Sequence, residues 1–123
     1  MRKPAKMIAA ASTVALLLGS MTMLPVQIAS ADEDMVKEGK KLAEDRKKGN
    51  CTACHAYEGA NMPGNIGPPL VAMKARYPDK QKLYDQIWDS TKANPNSMMP
   101  PFGKHEILSD KDIKAITEWV YTL

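Results

Sequence analysis

The sequence predicts an all-α fold, and three observations support this prediction. Apolar residues recur at the three- and four-residue spacing of an amphipathic helix in the stretches 36–46, 83–88 and 113–123. No stretch alternates apolar and polar residues convincingly, as a half-buried strand would. Gly and Pro are frequent between the helical patterns, which is typical of loops. We therefore expect a small helical bundle.

The first segment, residues 1–31, is a predicted export signal. Basic residues precede an apolar stretch at 7–18, and Ala29, Ser30 and Ala31 form a cleavage site of small residues. An uncleaved membrane anchor is the alternative, but the apolar run is shorter than the about 20 residues that span a bilayer. We expect a signal peptide cleaved after Ala31, a periplasmic location, and a single mature domain of residues 32–123.

The mature domain carries no formal net charge. The whole chain has 17 basic and 14 acidic residues, a net charge of +3, but every acidic residue follows Ala31 and three basic residues precede it. The mature domain therefore has no basic field that would favour nucleic acid or a membrane surface. A domain of this size buries little surface and is marginally stable alone.

The first helix of the mature domain is expected to start at the acidic residues 32–34, where the helix dipole favours negative charge. Gly49 and Asn50 should end it. Gly39 lies inside it, although Gly in a helix costs about 1 kcal/mol relative to Ala. We expect that Gly39 allows the close approach of a second helix.

The next element, Cys51-Thr52-Ala53-Cys54-His55, is a C-x-x-C-H motif that indicates covalent attachment of haem c. Cys51 and Cys54 would bind the two vinyl groups as thioethers, and His55 would bind the iron on the proximal side. A structural disulfide or a redox dithiol are alternatives, but neither needs the following His. Zinc needs about four ligands, and the chain has only two Cys and two His. One covalent haem would also supply the missing apolar core.

The middle of the chain should consist of loops and two short helices. The Gly- and Pro-rich stretch 57–69 is a predicted loop, and 70–76 is a predicted short helix. Asp79 is a predicted cap for the next helix, whose apolar face is 83–88. Residues 94–96, Asn-Pro-Asn, should break that helix.

The last elements are a stiff loop and a terminal helix. Residues 98–103 contain two prolines and should be extended, because proline disfavours helix at the residue before it. Ser109 and Asp112 resemble a capping box. The apolar residues of 113–123 then predict an amphipathic helix.

The sixth ligand of the iron should be a methionine, the soft thioether found opposite His in electron-transfer haems. Met99 is the favoured candidate, because the proline that follows should hold it extended and rigid. Met98 and His105 are the alternatives. Met62 and Met73 are expected to fill the core, as most methionines do.

These motifs together resemble class I cytochromes c over the whole mature chain. The resemblance is carried by the C-x-x-C-H motif, Gly67-Pro68-Pro69-Leu70, Met99-Pro100 and the terminal helix with Trp119. It implies that the N- and C-terminal helices cross, with Gly39 against Trp119. It also implies that the Pro68 carbonyl accepts a hydrogen bond from the His55 ring.

A narrower resemblance is to the SoxX family, the small monohaem subunits of SoxAX cytochromes in thiosulfate oxidation. It is carried by 66–70, 76–78, 94–95 and 98–108. The resemblance implies a periplasmic heterodimer with SoxA, which joins thiosulfate to a cysteine of SoxYZ. The electrons would leave through the haem to a soluble cytochrome c acceptor.

The residues of this chain limit the part that it could play in thiosulfate oxidation. Both cysteines would be consumed by thioether bonds, and a His55/Met99 iron would leave no open position for substrate. We expect an electron-transfer subunit that is not catalytic by itself and that docks through a stiff apolar loop, 98–105, unless Phe102 packs inward on the haem. The alternatives are a free-standing electron-shuttle cytochrome and a ligand-sensing haem protein.

Overall fold

The computed structural model describes residues 28–123, with side chains from residue 32 onward. The regular structure of these residues is entirely helical, which confirms the all-α prediction. The α-helices are α1 (Ile28–Glu44), α2 (Met73–Arg76), α3 (Lys80–Trp88) and α4 (Asp110–Val120), and short 3-10 turns lie at Cys51–Ala53 and Ser90–Lys92. Within the described part of the chain, no helix has the length and apolar character needed to cross a membrane.

Helices α1 and α4 cross in close contact, as expected, and Gly39 lies at the crossing. A Cβ atom on Gly39 would lie only 1.9 Å from the Ala115 carbonyl oxygen and 3.0 Å from the Ile116 amide nitrogen. Only glycine lets two backbones approach this closely. Trp119 lies one turn further along α4 and meets the Tyr57 ring edge-on, with 5.0 Å between centroids. The closest contact of Gly39 is therefore the α4 backbone rather than the predicted aromatic ring.

Helix α1 differs from the prediction at both ends. It already includes Ile28, so the acidic residues 32–34 lie inside the helix rather than at its start. The alanines just before them favour helix, and nothing there breaks it. The helix ends at Glu44, before the predicted stop, and the Gly49 amide closes the following turn by donating to the Leu42 carbonyl oxygen at 3.0 Å.

The predicted export signal falls mainly on residues 1–27, which lie outside the described residues. Its last four residues, 28–31, form the first turn of α1. Cleavage after Ala31 stays a prediction. It would remove that turn and place Asp32 at the start of the helix, where the helix dipole favours a negative charge.

Helix α2 is shorter than the predicted helix at 70–76. It begins at Met73, because Ala72 adopts a left-handed conformation with φ of 49°. Met73 is only 2 % exposed, which confirms its predicted place in the core. Met62 is 81 % exposed, so the same prediction is wrong for that residue, which lies on the surface of the loop with φ of 49°.

Helix α3 begins as predicted and ends early. The Asp79 carboxylate accepts a hydrogen bond from the Gln81 amide at 2.9 Å and caps the helix. The helix stops at Trp88, well before the predicted break at 94–96. The Asp89 side chain causes this, because it accepts from the amide two residues further on and starts a 3-10 turn instead.

Helix α4 has the predicted capping box. The Ser109 hydroxyl accepts from the Asp112 amide at 3.1 Å, and the Asp112 carboxylate accepts from the Ser109 amide at 3.3 Å. The helix ends at Val120, although the apolar pattern continues to Leu123. Leu123 still packs on the core, and its carbonyl oxygen accepts from the Met73 amide at 2.9 Å.

The core joins α1, α2, α3 and α4 with buried side chains from the loops between them. Its members are Leu42, Ala43, Tyr57, Leu70, Met73, Leu83, Ile87, Phe102, Leu108, Ile113, Ala115, Ile116, Trp119 and Val120. Several of these side chains also line the cavity described next, so they belong both to the core and to the cavity lining.

Candidate haem site

A single large cavity contains the predicted site residues. Its volume is about 670 Å³, within the about 300–1,000 Å³ of small-molecule and cofactor sites. Two stretches of the chain that each contribute part of the lining are named for their predicted ligands: the His segment, residues 51–70, and the Met segment, residues 97–104. Apolar side chains of the core complete the lining, among them Leu83, Ile87 and Ile116.

Cys51 and Cys54 line this cavity, and both are free thiols. They lie on a 3-10 turn that the left-handed Asn50 introduces, with φ of 48°. Burial raises the pKa of the Cys51 thiol to about 11. Reactive C-x-x-C thiols have a pKa of about 3.5–7.5 instead. The raised pKa of Cys51 is not the pKa expected of a redox dithiol.

His55 has the hydrogen bond that the family resemblance implies. Its Nδ1 lies 2.7 Å from the Pro68 carbonyl oxygen. Because a carbonyl oxygen only accepts, the proton is on Nδ1, and Nε2 is the nitrogen available to a metal. Such a bond fixes the orientation of an axial imidazole and raises its basicity.

Two glycines bring the His segment close around the motif. A Cβ on Gly67 would lie 2.5 Å from Cε1 of the His55 ring, and a Cβ on Gly64 would lie 2.0 Å from the Ala53 carbonyl oxygen. The Gly67 amide also donates to the Cys54 carbonyl oxygen at 2.8 Å. Neither position can hold a larger residue without moving the motif, so the glycines are part of the site.

The Met segment brings Met98 and Met99 to the cavity, whereas His105 is exposed and does not line it. Met98 is 79 % exposed, and Met99 packs against the core. The Met99 backbone is held at both ends of the residue: its carbonyl oxygen accepts from the Ser90 hydroxyl at 2.7 Å, and its amide donates to the Ser97 hydroxyl at 3.2 Å. This geometry favours Met99 over both alternatives as a ligand.

Tyr57 and Glu44 form a contact beside the site that the sequence did not reveal. The Tyr57 hydroxyl donates to the Glu44 carboxylate. Burial, and then this hydrogen bond, raise the pKa of Tyr57 well above its usual range. The neutral phenol therefore ties the end of α1 to the His segment. The two residues lie 13 positions apart, and no local pattern links them.

The predicted apolar docking loop is only partly exposed. Phe102 is 7 % exposed and belongs to the core, so it packs inward rather than facing a partner. Pro101 is also buried. The exposed apolar residues that line the mouth of the cavity are instead Met98, Ile66 and Ile107.

The residues around the cavity fit haem c. Two thiols, an imidazole with Nε2 available and a thioether line one cavity, and Gly67 leaves the imidazole room. This is the donor set of a haem held by two thioether bonds and by His and Met ligands. Arg46, Lys48 and Arg76 also line the cavity and bring positive charge that suits the carboxylates of haem.

Comparisons with known proteins indicate the family of this chain. The family profile described as "Cytochrome C oxidase, cbb3-type, subunit III" matches residues 34–120. A protein called "Cytochrome c-552" from Nitrosomonas europaea is 33 % identical over 86 residues, which cover 66 % of this chain and 77 % of that protein.

A second relative is much longer than this chain. It is called "Uncharacterized lipoprotein", from Aquifex aeolicus, and is 34 % identical over 76 residues. The match covers 61 % of this chain but only 37 % of that protein.

The family match spans most of the described residues, and its members are electron-transfer proteins that bind haem c covalently. The chain belongs to the cytochrome c family that includes the cbb3-type subunit III domain.

Proposed function

We propose that this protein is a monohaem electron relay in which Cys51 and Cys54 hold the haem as thioethers and His55 and Met99 bind its iron. The observation that carries the proposal is that all four side chains line one cavity. The bound haem supplies one-electron chemistry at its iron. The hydrogen bond to the Pro68 carbonyl oxygen orients the imidazole, and buried apolar core residues line the cavity.

The proposed ligand set excludes substrate chemistry on this chain. The chain has two Cys, and both are assigned to the haem, so no thiol remains to carry sulfur. With His55 and Met99 both bound, the iron has no open position. The protein therefore accepts and passes on electrons while bond-making occurs on a partner.

The finer proposal is that the partner is SoxA and that the chain is the SoxX-type subunit in thiosulfate oxidation. The support is the sequence resemblance in 66–70, 76–78, 94–95 and 98–108. In this role the electrons come from the joining of thiosulfate to a SoxYZ cysteine, and a soluble cytochrome c takes them. Exposed apolar residues at the cavity mouth, Met98 and Ile66, support docking close to the haem.

A free-standing electron shuttle is the second candidate. The match to a relative named as a cytochrome c-552 favours it. Isolation of the protein from its native source separates the two candidates, because a SoxX-type subunit should co-purify with a second haem-containing chain. A ligand-sensing haem protein would instead bind carbon monoxide readily when reduced at neutral pH.

Export to the periplasm with cleavage after Ala31 is part of the proposal. The support is the signal-like sequence of residues 1–31 and the family's covalent haem, which is attached outside the cytoplasm. The intact mass of the purified protein tests it. The expected mass is that of residues 32–123 plus one haem.

The sulfur-oxidation role is tested by mixing the purified protein with SoxA, SoxYZ and thiosulfate and following the visible haem band. Reduction should require all three additions. Leaving out SoxYZ is the matched control, because it removes the cysteine that accepts the sulfur. Equally fast reduction by thiosulfate alone would contradict the relay role, and no reduction with the full mixture would favour the free-standing shuttle.

A further inference from the structure

An ion pair with a buried carboxylate joins the Met segment to the end of helix α3, and the electron-relay mechanism does not use it. The Lys104 Nζ atom lies 3.2 Å from the Asp89 Oδ2 atom, and the Asp89 side chain is 2 % exposed. In the other ion pairs between described residues the carboxylate side chain is at least 22 % exposed. We name residues 88–91 the clasp, because they contact the Met segment at several points.

The Asp89 carboxylate is held firmly in place. Its Oδ1 atom accepts hydrogen bonds from the Thr91 amide, at 3.1 Å, and from the Thr91 hydroxyl. A buried carboxylate is tolerated only when it is paired and hydrogen-bonded. Lys104, by contrast, has a side chain that is 49 % exposed. The pair therefore joins the Asp89 carboxylate, which is fixed in position, to Lys104, a loop residue that water would otherwise solvate.

The clasp also holds the Met segment through backbone contacts. The Trp88 carbonyl oxygen accepts from the amides of Gly103 and Lys104, at 3.0 and 3.2 Å. A Cβ on Gly103 would lie 2.0 Å from the Trp88 indole, so this glycine lies directly against the ring. The fully buried Ser90 donates to the Met99 carbonyl oxygen at 2.7 Å.

We propose that the clasp positions Met99 for iron, with Asp89 and Lys104 as positioning residues. The inference rests on the proposed ligation of iron by Met99. A methionine side chain has three rotatable bonds, so its own packing fixes it poorly. Its place depends on the backbone that carries it. The clasp holds that backbone at Met99 and, four and five residues later, at Gly103 and Lys104.

The experiment measures how easily Met99 leaves the iron. Reduced protein is mixed with carbon monoxide, which binds only after the thioether has dissociated, and the near-infrared band of Met–iron(III) charge transfer is recorded on oxidised protein. Lys104→Met should bind carbon monoxide about tenfold faster and should weaken the band, because loss of the ion pair loosens the backbone that carries Met99. A tenfold change corresponds to about 1.4 kcal/mol. Lys104→Arg keeps the charge and should behave nearly as the wild type.

Two control variants separate positioning from general stability. Lys82→Met removes an exposed lysine from α3, outside the clasp, and should leave the binding rate unchanged. Gly39→Ala should destabilise the fold at the α1–α4 crossing and likewise leave the rate unchanged. The double variant with Asp89→Asn and Lys104→Met should bind carbon monoxide no faster than Lys104→Met alone, because the effects of substitutions at contacting residues are not additive.

The outcomes distinguish this inference from the function on which it rests. If Met99→Leu abolishes the band but Lys104→Met binds carbon monoxide no faster than Lys82→Met, the clasp inference is wrong and Met99 ligation stands. If Met99→Leu keeps the band, both are wrong. If Asp89→Asn gives no haem-loaded protein, the half-exposed Lys104 decides the question alone.

Discussion

The His segment and the Met segment both line the cavity, but different kinds of bond hold them. The His segment closes on itself through its backbone: the amides of Gly64, Gly67 and Leu70 donate to carbonyl oxygens of residues 52–56 at 2.7–2.8 Å. In the Met segment, side chains provide part of the bonding that holds the loop. Ser97 bonds within the segment, and Ser90 and Asp89 bond to it from the clasp.

This difference decides which substitutions each segment tolerates. The His segment is held by backbone bonds and has no room for added atoms at its glycines, so adding a Cβ disturbs it. The Met segment depends on a few side chains, so removing one of them loosens it. The proposed proximal ligand, His55, is therefore held rigidly, whereas the proposed distal ligand, Met99, is held by bonds that single substitutions can remove.

The largest expected effect concerns the His segment, where Cys51→Ala or Cys54→Ala removes a thioether bond. Without haem, the cavity of about 670 Å³ would lose the group that fills it, and its apolar lining would be exposed to water. A typical domain is stable by only about 5–15 kcal/mol, so it tolerates little loss of buried apolar area. Protein without haem should therefore not stay folded, and the yield of haem-loaded protein should fall sharply.

The measurement for the cysteine variants is the haem left on the chain after acid–acetone extraction, together with intact mass. The wild type should keep one haem. Met62→Leu is a suitable control, because Met62 is 81 % exposed and lies away from the cavity. Full extraction of haem from the wild type would contradict covalent attachment.

The same difference explains which features could be predicted from the sequence alone. The hydrogen bond between His55 and Pro68 and the caps at Asp79 and Ser109 follow from family pattern or local spacing, and the structure confirms them. The clasp, the Tyr57–Glu44 bond and the burial of Phe102 do not, because they depend on how distant segments meet in three dimensions.

The next largest effect is expected for Met99→Leu in the Met segment. Loss of a thioether ligand should lower the reduction potential by more than about 0.1 V, a part of the about 0.8 V range that axial ligands span. The near-infrared Met–iron(III) band should disappear. Met98→Leu is the matched control and should change neither, because Met98 is 79 % exposed. If the two variants exchange phenotypes, Met98 is the ligand.

A smaller effect is expected for Gly67→Ala in the His segment. The added Cβ would lie 2.5 Å from the His55 ring, so the ring or the loop must move, at a cost of about 1–3 kcal/mol. The visible haem spectrum and the thermal midpoint should both change. Gly39→Ala should lower only the midpoint, because it crowds the α4 backbone. An unchanged spectrum in Gly67→Ala would show that the His segment is as adjustable as the Met segment.

The smallest effect is expected from acid, and it should appear at the clasp. Hydrogen bonds from Thr91, and then the pairing with Lys104, hold the pKa of the Asp89 carboxyl below its usual value. The carboxylate therefore stabilises the folded state above the unfolded pKa of about 3.9, and this contribution is lost as the pH falls through the lower folded pKa.

Asp89→Asn should therefore lower the free energy of unfolding near neutral pH and flatten its decline in acid, as measured by denaturant titration at several pH values. Asp110→Asn is the control. Hydrogen bonds from Lys114 and Tyr84 also lower the pKa of Asp110, but its side chain is 60 % exposed, so salt should screen its contribution. The Asp89 effect should persist in high salt because the pair is buried on the Asp89 side. Equal pH profiles for wild type and Asp89→Asn would show that the clasp contributes no stabilising charge, and would leave the Met segment held by Ser90 and the Trp88 contacts alone.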